Sequence, residues 1–196
     1  MKSSNSESLT SDFFEALYQE NSDPWQFETS EYEARKYATT LDALPRDVYQ
    51  SGFEIGGSIG VLTEKLAQRC HSLLSIDVSK IAQAQALKRC EYLTNIDFQM
   101  MSVPQEFPDR DFDLIILSEV GYYWCREDLN KAQELMLDRL RSTGHLLLVH
   151  WIVDARVLPL TGHEVHDSFL ELAPNRLKHL KNLTAQNYRL DLFEKI

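Results

Sequence analysis

A short apolar run breaks into glycines in the stretch Gly52-Phe-Glu-Ile-Gly-Gly-Ser-Ile-Gly60, and a helical pattern follows it. Glycine lets the backbone turn sharply and approach a ligand that a Cβ atom would push away. The N-terminus of the following helix points its free backbone N–H groups at the same place. A strand, a glycine turn and a helix in this order predict the first βα turn of a nucleotide-binding sheet.

The spacing of the glycines separates two classes of nucleotide-binding turn. A dinucleotide fingerprint needs glycines at offsets of about 0, 2 and 5, whereas counting from Gly56 gives Ser58 and Val61 at the later offsets. Counting from Gly57 fails in the same way. Glu54 stands two positions before the turn, where its carboxylate can reach the turn and a cationic part of the ligand. This pattern resembles motif I of the class I S-adenosylmethionine-dependent methyltransferases.

The composition bounds the class of protein. The chain has 196 residues, 43% of them hydrophobic, which suits one domain with a substantial core. Its formal net charge of −10 argues against a nucleic-acid partner, because affinity for phosphates comes largely from Lys and Arg. No apolar run reaches the ~20 residues that span a bilayer, and the polar start lacks the apolar region of a signal peptide. We therefore expect a cytoplasmic protein with no membrane partner, either a monomer or a weak homodimer.

The N-terminal part of the sequence predicts a helical lid. Residues 1–45 are expected to form this segment and residues 46–196 the main domain. Ser30 and Glu33 match a capping box, in which each side chain accepts a hydrogen bond from a backbone N–H group of the other residue. A helix is therefore predicted from about residue 31 to 44.

From residue 52 onward strand-like and helix-like segments alternate, which favours a parallel sheet with crossover helices. We expect an α/β fold of the Rossmann-like class I methyltransferase type. Its sheet is mostly parallel with a C-terminal antiparallel hairpin, and helices lie on both faces. The predicted strands lie near 52–56, 73–77, 96–100, 112–117 and 145–151, the helices near 60–70, 80–92, 126–141 and 164–172, and the hairpin strands near 177–183 and 188–194.

The ends of three predicted strands carry the other candidates for holding the cofactor. Asp77 ends the second strand, where a carboxylate can accept hydrogen bonds from the hydroxyl groups of a ribose; a cap on the next helix is the alternative. Met101 and Ser102 follow the third strand, where class I enzymes contact the adenine, and Met100 is expected to fill the core. Ser118 ends the fourth strand. The predicted cofactor site joins these residues to Glu54, Gly56 and Gly57 of the glycine turn.

The candidate acceptor site follows the fourth strand. Glu119 interrupts an apolar context, and a buried carboxylate must be paired or must change its pKa. We expect Glu119 to hold the methyl acceptor or to take its proton, and a structural hydrogen bond to a nearby loop is the alternative. Tyr122, Tyr123 and Trp124 form either the wall of an acceptor pocket or part of the core.

Histidines follow at two places. His150 ends the fifth strand at the same edge as Glu119, and an imidazole is a competent proton acceptor near neutral pH. His166 is expected to line the acceptor cleft, whereas His163 is expected to be solvated at the start of its helix, where Thr161 and Glu164 match another capping box. Two histidines three positions apart are weak evidence for a metal, and we expect none.

Three motifs, read together with the glycine turn, resemble the NodS-type methyltransferases over about residues 20–195. They are Asp23-Pro-Trp25, Ser30-x-Tyr-Glu-x-Arg-Lys-Tyr37 and Ser118-Glu-Val-x-Tyr-Tyr123. The resemblance implies an N-methyltransferase that uses S-adenosylmethionine and releases S-adenosylhomocysteine; the family is named for an enzyme acting on the terminal glucosamine of rhizobial lipo-chitooligosaccharides. It also implies that Trp25 covers the cofactor and that Arg35 meets the cofactor's carboxylate.

The leading expectation is a small-molecule N-methyltransferase, with a sugar amine as the first acceptor to try. Gly121 stands where relatives tend to have a bulky apolar residue, so the acceptor pocket is expected to differ from theirs. O-methylation of a hydroxyl or carboxyl group is an alternative, which would need a stronger base and would make His150 essential. A methyltransferase-like module that binds the nucleoside without turnover is another. A nicotinamide oxidoreductase is the weakest alternative, because the dinucleotide fingerprint fails.

Overall fold

The structure is a computed structural model that describes residues 7–153 and 157–196. The chain folds into two compact units. We call Thr10–Ser102 the glycine-turn unit, and Val103–Ile196 together with residues 7–9 the hairpin unit. The first six residues of the predicted lid segment lie outside the described residues, and the boundary predicted after residue 45 stays a prediction.

The glycine-turn unit alternates strands and helices after two N-terminal helices. Its three strands pair in parallel in the order β3-β2-β1, with Ile55 opposite Ile76 and Asp77 opposite Met100. The carboxyl ends of the strands therefore lie at one edge of the sheet. The elements are α1 (Ser11–Glu20), α2 (Glu31–Asp42), β1 (Tyr49–Ile55), α3 (Val61–Ala67), β2 (Cys70–Asp77), α4 (Lys80–Arg89) and β3 (Ile96–Met100).

Capping residues fix two of these helices. The Ser30 hydroxyl accepts the Glu33 N–H at the start of α2, as predicted, and the Ser79 hydroxyl accepts the Ala82 N–H at the start of α4. Strand β1 begins three residues before the prediction, at Tyr49. The Tyr49 ring is fully buried, and the Tyr49 N–H donates to the Arg69 carbonyl at 2.8 Å. The alternation of apolar residues alone does not indicate this earlier start of the strand.

The hairpin unit contains the remaining strands. Strands β4 and β5 pair in parallel, whereas β7 pairs antiparallel with both β5 and β6, in the order β4-β5-β7-β6. The elements are β4 (Phe112–Ser118), a short 3₁₀ helix (Gly121–Tyr123), α5 (Arg126–Arg139), β5 (Leu140–Trp151), α6 (Gly162–Arg176), β6 (Leu177–Thr184) and β7 (Tyr188–Lys195). The parallel strands and the C-terminal antiparallel hairpin confirm the architecture predicted from the sequence.

Strand β5 is longer than predicted, because α5 ends at Arg139 and the chain becomes extended at once. Leu140 is 1% exposed and pairs with Phe112, and a register shift separates that pair from the regular pairing that begins at His145. Thr143 takes a left-handed φ of 62° within this stretch. The packing of Leu140 into the core therefore moves the start of β5 ahead of the predicted position near residue 145.

Helix α6 carries the complete capping box predicted at its start. The Thr161 hydroxyl accepts the Glu164 N–H at 3.1 Å, and the Glu164 carboxylate accepts the Thr161 N–H at 2.7 Å.

Within the part of the chain that the structure describes, the helices are too short or too polar to cross a membrane.

Candidate functional site

The glycine turn is shaped by close contacts that exclude side chains. Gly56 has a left-handed φ of 80°, and the N–H groups of Gly56 and Gly57 both donate to the Ile76 carbonyl at 2.9 Å. A Cβ atom on Gly57 would lie 2.1 Å from the Ser75 hydroxyl. Because no side chain fits there, the turn can lie directly on β2.

Glu54 lies beneath the turn. Its side chain is 1% exposed, and its Oε2 atom accepts hydrogen bonds from the Thr63 hydroxyl at 2.6 Å and the Ser75 hydroxyl at 2.7 Å. Burial raises the pKa of Glu54 to about 7, although these two hydrogen bonds oppose the shift. The carboxyl group therefore supports the turn through two hydroxyl groups, and its predicted contact with the cofactor stays a prediction.

Asp77 connects the end of β2 to the glycine turn and to α4. Its Oδ2 accepts the Ser58 N–H at 2.8 Å, and its Oδ1 accepts the Ser79 N–H at 2.8 Å. Burial raises the pKa of Asp77, and these backbone hydrogen bonds oppose the shift. The Val78 backbone also donates a hydrogen bond to this carboxylate, and a carboxylate offers about four lone-pair sites, so about one remains for a ribose hydroxyl. The helix-cap and ribose-binding interpretations of Asp77 are therefore compatible.

Helix α1 contacts the same turn through Tyr18, and Trp25 packs on Tyr18. The Tyr18 hydroxyl is hydrogen-bonded to the Ser58 hydroxyl, and Trp25 packs edge-on against Tyr18, with ring centroids 5.7 Å apart. Trp25 also stacks on Phe27 and stays 36% exposed. An aromatic side chain that is held by its neighbours, yet still exposed, is available to cover a bound ligand.

The two adjacent cationic residues of α2 differ in burial. Arg35 is exposed and lies 3.6 Å from the Glu31 carboxylate, whereas Lys36 is 3% exposed and lies 2.9 Å from the Glu33 carboxylate. The predicted contact of Arg35 with the cofactor stays a prediction. Sequence reasoning missed the buried ion pair, although the capping box placed Glu33 on the helix and Lys36 lies three residues further on.

The residues after β3 border the carboxyl edge of the sheet. The Met101 N–H donates to the Asp77 carbonyl at 3.2 Å, and Met101 and Ser102 are both half-buried. The prediction that Met100 fills the core is wrong, because Met100 is 39% exposed on the edge strand β3. The predicted adenine contacts of Met101 and Ser102 are not tested by this geometry.

Glu119 takes a strained conformation directly after β4. Its φ is 59°, a left-handed value that costs a non-glycine residue about 1–2 kcal/mol. Its N–H donates to the Val149 carbonyl at 2.8 Å, and its Oε2 accepts the Trp151 N–H at 2.8 Å and the Tyr122 hydroxyl at 2.7 Å. Strain of this kind persists where the surroundings fix it and is frequent at functional sites. Ser118, the last residue of β4, is half-buried beside it.

The aromatic residues of the 3₁₀ helix surround the Glu119 side chain. Tyr122 is 6% exposed, and its ring centroid lies 4.7 Å from that of Tyr123 and 5.4 Å from that of His150. Burial raises the pKa of Tyr122 well above its usual value, and the Glu119 charge adds to the shift. Tyr122 therefore stays a neutral hydrogen-bond donor to Glu119. Tyr123 is half-buried, and Trp124 is 6% exposed, which places Trp124 in the core.

His150 and His166 are both fully buried. The Nε2 atom of His150 accepts the Gly121 N–H at 3.0 Å, and its Nδ1 lies 3.1 Å from Nε2 of His166. His163 is exposed, as predicted, and no metal-binding group of His, Cys, Asp or Glu occurs among the described residues. The base role of His150 stays a prediction, and a hydrogen-bonded, enclosed imidazole favours a positioning role.

Comparison with known proteins identifies the family. The family model described as Nodulation protein S (NodS) matches residues 12–185. Nodulation protein S of Sinorhizobium fredii is 30% identical over 129 residues, which are 64% of this chain and 59% of that protein. The Rhizobium tropici protein of the same name is 31% identical over 127 residues, 64% of this chain and 53% of that protein. The matched part thus spans little more than half of these relatives.

A solved structure extends the comparison to the fold. The N-methyltransferase NodS from Bradyrhizobium japonicum WM9, in complex with S-adenosyl-l-homocysteine, matches with a TM-score of 0.83 and 26% identity. The match covers 92% of this chain and 96% of that one. The class I methyltransferase fold predicted from the sequence is therefore confirmed.

Proposed function

Because the chain belongs to the Nodulation protein S family, we propose that it is an S-adenosylmethionine-dependent N-methyltransferase acting on a small-molecule amine, such as a sugar amine. The observation that best supports this cofactor is the hydrogen bond from the Ser58 N–H to Asp77. It puts a carboxylate against a glycine turn that lacks the dinucleotide spacing. The NodS structure that this chain resembles holds S-adenosyl-l-homocysteine, the product of such a reaction.

Binding of the nucleoside is assigned to the edge of the glycine-turn unit. The remaining lone pair of Asp77 accepts a ribose hydroxyl, and the backbone of Gly56 and Gly57 approaches the ligand closely. Met101 and Ser102 contact the adenine, Ser118 contributes from the end of β4, and Glu54 supports the turn from below. In the proposal Trp25 covers the cofactor, and Arg35 meets the cofactor's carboxylate.

Glu119 is assigned to the acceptor. The lone pair of the neutral amine attacks the methyl carbon, the carbon–sulfur bond breaks, and its electron pair stays on sulfur. The product amine carries the positive charge that the sulfonium loses, and it then releases a proton to water. A carboxylate that accepts an N–H hydrogen bond aims the lone pair, and such alignment can supply about 7–11 kcal/mol of the barrier. Tyr122 fixes the carboxylate, and Tyr123 forms the wall of the acceptor pocket.

The hydrogen bonds of His150 favour an amine over a hydroxyl acceptor. O-methylation of a hydroxyl needs a base with an available lone pair close to the acceptor. Nε2 of His150 instead receives the Gly121 N–H in a fully enclosed position. An amine that arrives unprotonated needs no such base, so N-methylation agrees better with this geometry.

The remaining assignments concern the setting of the reaction. We infer a cytoplasmic enzyme that is a monomer or weak homodimer and works without a metal. Its acceptor is a small molecule and not a nucleic acid, because a net charge of −10 disfavours binding to phosphates.

A methyl-transfer assay tests the proposal. Purified protein is incubated with labelled S-adenosylmethionine and with a panel of glucosamine, deacetylated chitooligosaccharides, and the corresponding N-acetylated sugars. Label in the free amines, with none in the N-acetylated sugars, would support N-methylation of a sugar amine. Equal label in both sets would indicate O-methylation, and no label in any sugar, despite binding of S-adenosylhomocysteine, would move the acceptor to another class of amine.

A further inference from the structure

A buried chain of hydrogen bonds runs from the loop after β4 to β7 within the hairpin unit. The Gly121 N–H donates to Nε2 of His150 at 3.0 Å, and Nδ1 of His150 lies 3.1 Å from Nε2 of His166. Nδ1 of His166 in turn lies 2.6 Å from Oδ2 of Asp191. Both imidazoles and the carboxylate are 0% exposed. The proposed methyl transfer uses none of these contacts directly.

The backbone amide sets the direction of every bond in this chain. An amide N–H can only donate, so Nε2 of His150 must be the unprotonated nitrogen and Nδ1 must carry the proton. His150 therefore donates to Nε2 of His166, and His166 donates from Nδ1 to Asp191. One tautomer of each histidine satisfies all three bonds, and reversing either one would place two donors or two acceptors face to face.

Asp191 anchors the chain with bonds from several elements. Its carboxylate also accepts from Nε of Arg189 at 2.7 Å, from the Asn182 amide at 2.9 Å and from Nε2 of His179 at 2.6 Å. Burial alone would raise the pKa of Asp191, but the hydrogen bonds from His166 and Asn182 and the neighbouring positive charge lower it to about 2. Asp191 therefore stays charged, and its negative charge is balanced by Arg189.

The loop after β4 fits against His150 and α6 only because residue 121 is glycine. A Cβ atom on Gly121 would lie 2.7 Å from Cγ1 of Val165 and 3.0 Å from Nε2 of His150. The absent side chain thus lets the backbone contact α6 and His150 directly. The expectation that Gly121 alters the acceptor pocket is consistent with this contact, which draws the loop toward α6.

We propose that Asp191, His166 and His150 are positioning residues that hold the loop 119–123 and thereby orient the Glu119 carboxylate. Glu119 needs such support, because its left-handed backbone is strained and its side chain is bonded to the N–H of Trp151, the neighbour of His150. Gly121 lies two residues beyond Glu119, so the hydrogen bond from its N–H to His150 holds the part of the loop that follows Glu119. The catalytic part of this inference rests on the proposed role of Glu119.

Three variants of helix α6 test the proposal. His166→Leu removes the middle of the chain, His166→Gln keeps a polar group there, and His163→Leu alters the exposed histidine one turn earlier on α6. The readouts are amide hydrogen exchange at Gly121, the Kd of S-adenosylhomocysteine, and kcat and KM with glucosamine. We expect His166→Leu to speed exchange at Gly121 and to lower kcat, each about tenfold, with the Kd little changed. His166→Gln should lie between, and His163→Leu should match the wild type.

NMR of the histidine rings in the wild-type protein gives a second readout that needs no variant. The proposal requires a proton on Nδ1 and none on Nε2 in both His150 and His166, and a protonated Nε2 on His150 would overturn it. Unchanged exchange at Gly121 in a folded His166→Leu protein would also overturn it. Because exchange and NMR need no acceptor, a failure to detect methyl transfer to glucosamine would count against the proposed acceptor and leave these two readouts to decide the positioning.

Discussion

Oδ2 of Asp77 lies 2.8 Å from the backbone N of Ser58, and this bond joins the end of β2 to the glycine turn. Ser58 has a left-handed φ of 51°, and its hydroxyl is bonded to Tyr18 of α1. A single carboxylate therefore holds the strained residue of the turn while its other oxygen caps α4 through Ser79. The carboxylate that we propose as the ribose contact is therefore already fixed in place by the fold.

Replacing Asp77 with alanine should weaken cofactor binding. The variant loses at least one charge-assisted hydrogen bond to a ribose hydroxyl, worth about 1.5–3 kcal/mol, so the Kd of S-adenosylhomocysteine should rise about 10- to 150-fold. Isothermal titration calorimetry measures the change, and the exposed Asp97→Ala on β3 serves as the matched control. An Asp77→Ala protein that is folded and binds as tightly as the wild type would remove Asp77 from the site.

Trp25 should report cofactor binding. Its indole is partly exposed beside Tyr18 and Phe27, so a bound ligand should change its fluorescence, and Trp25→Phe should abolish most of that change. Trp124→Phe, which alters a buried tryptophan, should retain it. Trp25→Ala should weaken binding about fivefold, because an aromatic contact contributes about 1 kcal/mol. Full affinity in Trp25→Ala would show that the N-terminal segment does not act as a lid.

Glu119→Gln should separate binding from chemistry. Glutamine retains an oxygen that can accept from the Trp151 N–H and the Tyr122 hydroxyl, but it loses the charge that orients the amine. We expect kcat with the amine acceptor to fall about tenfold or more, with the Kd of S-adenosylhomocysteine unchanged. The exposed Glu127→Gln in α5 is the control. Wild-type turnover in Glu119→Gln would place the acceptor contact elsewhere in the protein.

The pH dependence of stability should reveal the buried Glu54. Its pKa in the folded protein, about 7, lies above the ordinary value of 4.5, so folding favours the protonated form. This contribution is complete below about pH 4.5 and is lost as the pH rises through about 7. Each pKa unit corresponds to about 1.4 kcal/mol, which limits the loss to about 3 kcal/mol.

Glu54→Gln removes this titration while keeping a similar shape. Urea denaturation should show that the wild type loses stability relative to Glu54→Gln between pH 5 and pH 8. The exposed Glu91→Gln should follow the wild type over the same range. If the wild type and Glu54→Gln respond to pH in parallel, Glu54 does not titrate in this window.

Local sequence signals predicted the parts of the structure that short-range physics determines. The glycine spacing, the Thr161 and Glu164 capping box, and the buried run that forms β4 each depend on residues close together in the chain. The start of β5 could not be predicted, because it depends on the pairing of the buried Leu140 with Phe112, which is distant in the sequence. The comparisons with NodS proteins confirm the family that the motifs resembled.

The candidate site was only partly readable from the sequence. The sequence identified His166 as a candidate site residue. It did not indicate the hydrogen bond between His166 on α6 and Asp191 on β7, which lie 25 residues apart. Periodicity does not tell which helix face meets which strand, so His166 was assigned to the substrate and Asp191 was not noticed. The burial of Lys36 against Glu33 was not predicted for the same reason, and the cofactor contact of Arg35 stays a prediction.

Calorimetric titration of the purified protein with S-adenosylhomocysteine and, separately, with NAD tests the central claim most directly. The turn lacks the dinucleotide spacing, and the Asp77 carboxylate bonds to its Ser58 N–H. We predict that S-adenosylhomocysteine binds with one site per chain and that NAD produces no measurable heat at the same concentration. Tighter binding of NAD than of S-adenosylhomocysteine would contradict the assignment of this chain as an S-adenosylmethionine-dependent enzyme.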